Sequence, residues 1–177
     1  AESRATAAVA YLEELGRPFR VDRLGRVTNV AISEGTSPYI GDVLTAPQGY
    51  PLNATQAEYA RRAHSLLQQN LTSLKSRGVE VAEQLDFSDA IRQINVSVEM
   101  GAGRYFPRIP IGTVQRGGKG RMRIGKKITQ QQERIWESQK QGVEEGGVAY
   151  MTDPTEVMRL TLEAAGKAEA DQLLANN

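Results

Sequence analysis

Apolar positions fall into helical stripes toward both ends of this chain, and the pattern breaks down in the middle. Ala5, Ala8, Val9, Leu12 and Leu15 recur at spacings of three and four, which predicts an amphipathic helix over residues 1–15 closed by Gly16 and Pro18. From Phe19 to Val27 apolar and polar residues alternate around Gly25, the pattern of a short two-stranded ribbon. Residues 33–51 carry Gly or Pro every few positions and read as loop, with one helical turn at Ile40–Leu44.

The clearest helix starts after Asn53. Asn53 can accept from the free amides of the first turn, and Gln56 stands three residues on to answer it. Ala57, Ala60, Ala63, Leu67, Leu71 and Leu74 then form one stripe, and Gly78 closes it after Lys75 and Arg77. That is a helix of about 25 residues, roughly 37 Å long. Shorter elements are expected beyond it: an extended piece at 79–82, a helical turn or two at 87–94, and a strand at 96–98.

Toward the C-terminus, Thr129 is expected to cap a helix running through Ile135 and Trp136 to about Gln141, with Gly142, Gly146 and Gly147 breaking the chain after it. Asp153-Pro154-Thr155-Glu156 sets Asp at a cap, Pro at the first helical position and Glu in the first turn. The helix that follows, through Val157, Leu160, Ala164, Ala168 and Leu174, is poor in bulky residues and suits close packing on another helix. No internal repeat of fixed period is present.

Composition sharpens this picture. Apolar residues make up 40% of the 177, but many are Ala, and only ten residues are aromatic. Mean hydropathy is −0.45. The expected fold class is mainly α: an elongated helical segment with long Gly/Pro-rich loops and at most a small β ribbon, burying much of its apolar surface against neighbours. Four regions are expected: 1–51, N-terminal helix, ribbon and loop; 52–100, long helix and short elements; 101–132, a basic Gly-rich connector; and 133–177, C-terminal helices. The start at Ala1 without Met and the stop at Asn177, both in helix-like patterns, suggest a piece of a longer polypeptide. With no Cys, a disulfide framework and a thiolate metal site are both excluded. No apolar run approaches the length of a membrane-spanning helix.

Charge points to one place. The whole chain is nearly balanced, with 22 Lys and Arg against 21 Asp and Glu. Gly101–Gln132, however, holds eight basic residues and no acidic one, so the remainder carries a net −7. The eight are Arg104, Arg108, Arg116, Lys119, Arg121, Arg123, Lys126 and Lys127, candidates for contact with a partner or with DNA. Seven Gly and two Pro forbid a continuous helix through the stretch. Tyr105, Phe106 and Pro107 form a stiff aromatic-proline segment suited to anchoring the loop on the body, although bases can also stack on such rings. A flexible basic segment meets successive phosphates readily. The same segment also suits an acidic protein neighbour, or stays solvated. Protein docking ranks first and packaged DNA second.

Enzyme signatures do not assemble. Gly-Gly-Lys-Gly at 117–120 lacks the spacing of a phosphate-binding P-loop, and Gly101-Ala102-Gly103 lacks the third glycine of a dinucleotide site. No Gly-x-Ser-x-Gly nucleophile elbow occurs. His64, the single histidine, sits beside the apolar stripe of the long helix and reads as structural. The pairs Glu13/Glu14 and Glu144/Glu145 read as solvated faces, and the Asn-x-Ser/Thr triplets at Asn53, Asn70 and Asn95 as chance. No cofactor, metal or small-molecule substrate is expected, and catalysis is not.

From about Tyr50 to Leu174, roughly two-thirds of the chain, the order of features resembles a region of very large tailed-bacteriophage virion proteins. The features are the long helix after Tyr50-Pro51-Leu52 with its Gly78-Val79 exit, Tyr105-Phe106-Pro107-Arg108, a Gly- and Arg-rich connection, a Trp-containing helix, and Gly147-Val148-Ala149-Tyr150 leading into Asp153-Pro154. The resemblance implies a non-enzymatic structural or ejected component of the virion, associating with other virion proteins, with copies of itself or with packaged DNA. It assigns no catalytic residue. A nucleic-acid-binding module of a larger protein is the alternative from a different class.

Overall fold

A computed structural model describes residues 2–76, 106–116, 122–124 and 136–175. The fold is mainly α. In chain order the elements are α1 (Glu2–Glu13), α2 (Ile40–Thr45), a single 3-10 turn at Pro47–Gly49, α3 (Ala54–Ser76), β1 (Pro110–Arg116), β2 (Met122–Ile124), α4 (Gln139–Glu144), β3 (Val148–Tyr150) and α5 (Pro154–Ala175).

The N-terminal helix ends as its sequence dictates, with Gly16 in the left-handed region at φ +70°. After it, Val21 and Val27 form one isolated antiparallel bridge, and Arg26 bridges to Tyr39. Asp22 closes the turn between them: its Oδ1 accepts from the Leu24 and Arg26 amides at 3.0 and 2.9 Å, and its Oδ2 accepts from Arg26 Nε at 2.7 Å. Burial pushes the Asp22 carboxyl up, but the bonds from Arg26 and Leu24 outweigh it, and its pKa lies below the ordinary value.

The start of α3 is a capping box. Gln56 N donates to Asn53 Oδ1 at 2.8 Å, and Asn53 N donates to Gln56 Oε1 at 3.0 Å. Gln56, 2% exposed, also spends its amide nitrogen on the Pro18 carbonyl at 3.0 Å, so the cap holds the chain that enters from α1. At α5, Asp153 Oδ1 accepts from Thr155 N at 3.0 Å with Pro154 in the first turn.

One core unites these elements. Ala5, Ala8 and Leu12 from α1 meet Tyr59, Ala60, Ala63 and Leu67 from α3 and Val157, Met158, Leu162 and Ala165 from α5. Alanines on α1 and α3 let the helices approach closely, and α1 packs against both α5 and α3. Val43 and Leu44 of α2 and Phe19 fill the remaining space, with Phe19 edge-on to Tyr59 at 5.9 Å between ring centroids. The core thus draws on regions expected to be consecutive along the chain.

Three expectations are corrected. Residues 110–116 and 122–124 of the basic stretch are not connector loop but strands, in a three-stranded antiparallel sheet of order β2-β1-β3. And Trp136 does not lie in a helix: α4 begins at Gln139 with Ser138 as its cap, Ser138 Oγ accepting from Gln141 N at 3.0 Å. Gly142, expected to break the chain, is an interior residue of α4; Gly147, at φ +62°, makes the turn into β3. Residues 79–82, 87–94, 96–98 and Thr129 lie outside the described residues.

Candidate functional site

The described part of the basic stretch begins with its anchor. Phe106 is 4% exposed and belongs to the main core, and Pro107 beside it is buried. Arg108 is half-buried and its Nη2 donates to the Trp136 carbonyl, which ties this segment to the chain just before α4. Trp136 in turn packs against a second cluster formed by Tyr39, Val143, Val148 and Tyr150. Arg108 therefore serves the anchoring of the stretch.

Strand formation from Pro110 follows from the residues. Pro has no amide hydrogen to give a ladder, and here it takes the first position of β1. Ile111 is the extra residue of a bulge: Pro110 pairs with Tyr150 and Gly112 with Ala149, leaving Ile111 between them and 37% exposed. Beyond the bulge Thr113 pairs with Val148, and Val114 N donates to Gly147 O at 2.7 Å.

Past Thr113 the sheet changes partner. Val114, Gln115 and Arg116 stand opposite Ile124, Arg123 and Met122 of β2. The sheet is staggered: β3 flanks the first half of β1, and β2 flanks the second half. Of the basic residues in these strands, Arg116 ends β1 and Arg123 is the middle residue of β2. Arg104, Tyr105, Lys119, Arg121, Lys126 and Lys127 lie outside the described residues.

A second feature, not anticipated from sequence, is a cavity of about 230 Å³ at the N-terminus of α5, between Pro18-Phe19 and α3. Tyr59 and Phe19 line it, and Arg17 and Asp153 form an ion pair of 2.5 Å beside it. Four of its polar residues, Arg17, Tyr59, Asp153 and Thr155, are engaged. Tyr59 Oη and Thr155 Oγ1 are 2.5 Å apart, and Asp153 also caps α5. Burial raises the Tyr59 pKa well above the ordinary value, so the phenol stays protonated.

His64 is 5% exposed and donates from Nε2 to the Leu44 carbonyl at the end of α2. It links α3 to α2. Among the described residues, no group of three or more His, Cys, Asp or Glu is placed to hold a metal ion, and no helix is long and apolar enough to cross a membrane.

The ribbon was missed in the sequence because its pairings are non-local and its strands short. The alternation Ile109, Ile111, Thr113 and the run Val148-Ala149-Tyr150 were the available signals. Comparison with protein families, with curated proteins and with solved structures finds no match for this chain.

Proposed function

We propose that this chain is a non-enzymatic structural component of a tailed-bacteriophage virion, one that packs by helix faces and presents a basic hairpin to a neighbour in the particle. The observation that carries the reading is the placement of the acid-free basic stretch: two of its cations sit on a paired antiparallel ribbon rooted in the body through Phe106. Charge segregated onto one stretch, against a net −7 elsewhere, is what a docking element requires. The order of features from Tyr50 to Leu174 that resembles large virion proteins supplies the context.

In this reading the neighbours are other virion proteins, copies of the chain itself, or packaged DNA. The elongated packing expected from the low content of bulky residues belongs to the same proposal. Peptide mass spectrometry on purified particles of the encoding phage tests it. Peptides of this chain should appear at a stoichiometry comparable to other structural proteins. Peptides confined to the infected-cell lysate would overturn the assignment.

A further inference from the structure

The cavity at the N-terminus of α5 changes chemistry from base to mouth. At its base the Tyr59 and Thr155 hydroxyl oxygens stand 2.5 Å apart, on two buried residues. Each hydroxyl carries one hydrogen, and a bond between the two uses only one of them, whichever residue donates. The accepting hydroxyl keeps its own hydrogen, and among the described residues neither hydroxyl makes a second hydrogen bond. One donor is therefore left over in a buried pair, and both residues of the pair line the cavity. Pro18, Phe19, Val21 and Pro154 supply apolar walls. At the mouth, Arg17 and Asp153 hold each other at 2.5 Å while their side chains stay 62% and 40% exposed, so the space reaches solvent.

Size and charge narrow the occupant. An apolar cavity of about 150 Å³ holds benzene. A cavity of about 230 Å³ therefore admits one ring with a small substituent. Water can accept the free hydrogen, but the apolar walls give it few further partners, and a buried water makes about three bonds. An anionic ligand would have to displace Asp153 from Arg17, although Asp153 also caps α5; a cationic one would have to displace Arg17. A neutral ligand leaves the pair intact. We infer that the cavity binds a small neutral ring bearing one hydrogen-bond acceptor. The ring lies among Phe19, Val21 and the two prolines, and the acceptor takes the free hydrogen of the Tyr59–Thr155 pair. This ligand site is on the body of the protein and does not depend on the virion reading.

Acetophenone, one ring and one carbonyl, is the probe. Isopropylbenzene has nearly the same shape without the acceptor, and benzoate carries a charge. Titrated into the isotopically labelled full chain and followed by NMR, acetophenone should shift the amides of Phe19, Val21 and Thr155 saturably. Benzoate should leave them in place. The hydroxyl pair is tested by the ratio of acetophenone to isopropylbenzene affinity, because transfer of each ring from water cancels when variants are compared. Tyr59→Phe and Thr155→Val each leave one hydroxyl with its hydrogen free, so each should keep the ratio within about twofold of the parent. The double variant has no donor, and its ratio should fall about fivefold to tenfold, the worth of one hydrogen bond.

Acetophenone that shifts no amide, or only amides away from the cavity, would overturn the inference. Benzoate binding as tightly as acetophenone would reject the neutral class and the inference with it. A ratio unchanged in the double variant, or already lost in both single variants, would remove the hydroxyl pair as the donor. The titrations of the parent chain need no substitution, so they decide the matter even where a variant fails to fold.

Discussion

Asp42 and Gln139, 97 residues apart, cap each other's helices. Asp42 Oδ1 accepts from the Gln139 amide at 2.8 Å, while Oδ2 accepts from the Lys140 amide at 2.9 Å. In return, Gln139 Oε1 accepts from the Gly41 amide at 2.6 Å in the first turn of α2. Two helices of six residues each, too short to persist alone, thereby share their free N-terminal amides. Gly25 and Gly41 make the room: an added Cβ at either would stand 2.5 Å from the Gln139 amide group.

Removing that exchange should be costly. Asp42→Ala leaves buried amides of α4 without an acceptor, and a loss of about 1–3 kcal/mol is expected in urea unfolding. Asp42→Asn keeps one acceptor and should lose less. Ser138→Ala, which removes the local cap of the same helix, should cost about 1 kcal/mol. Equal losses for Ala and Asn at position 42 would show that the acceptors are not what matters there.

The buried Tyr59–Thr155 pair predicts a specific non-additivity. Thr155→Val leaves the Tyr59 hydroxyl unsatisfied and should destabilise by about 1–3 kcal/mol. Tyr59→Phe strands the threonine in the same way. The double variant should lose less than the sum of the two single losses, because neither orphaned group remains. Strict additivity in a denaturation cycle would contradict the bond.

Gly142 stands where helix propensity and packing oppose each other. Replacing an interior helical Gly by Ala normally gains about 1 kcal/mol. Here the added Cβ would collide with the Tyr150 hydroxyl and ring. Overpacking of about 1–3 kcal/mol should win, so Gly142→Ala should lower the melting temperature. Gly49→Ala, with nothing within 4 Å of its Cβ, is the control and should melt close to the parent.

Tyr39 gives a pH dependence. It is 3% exposed, and burial, reinforced by the Glu144 carboxylate, pushes its pKa up to about 12 from the ordinary 10.0. Between those values the unfolded chain has released the proton and the folded chain has not. Stability from this group is complete below pH 10 and is lost as pH rises toward 12. Urea midpoints measured across pH 9–12 should fall more steeply for the parent than for Tyr39→Phe. Parallel curves would remove Tyr39 from the account.

Local chemistry was legible in the sequence wherever a few neighbouring residues settle the outcome. The Asn53–Gln56 box, Asp153-Pro154 at the start of α5, the Gly16 stop and the helical turn at Ile40–Leu44 all appear in the fold. The start of α4 was not legible, because Asp42 supplies acceptors from α2 and Arg108 engages the Trp136 carbonyl just upstream. The sheet was obscured for a related reason. Val148–Tyr150 is three residues long, and its pairing to Pro110–Thr113 has no local signature. For the candidate site, composition identified the basic stretch. Only strand pairing could say that Arg116 and Arg123 belong to neighbouring strands of one sheet.

Because α1 packs on α5 as well as on α3, the cover of the first described helix is complete only with the last. During synthesis, the apolar stripe of Ala5, Ala8 and Leu12 emerges long before Val157 and Leu162 exist to cover it. Complete burial of that stripe requires contacts far apart in sequence, whose loop-closure entropy is lost before they form. A ribosome stalled before Pro154 should hold a chain that is protease-sensitive throughout α1, and release of α5 should bring protection in one step.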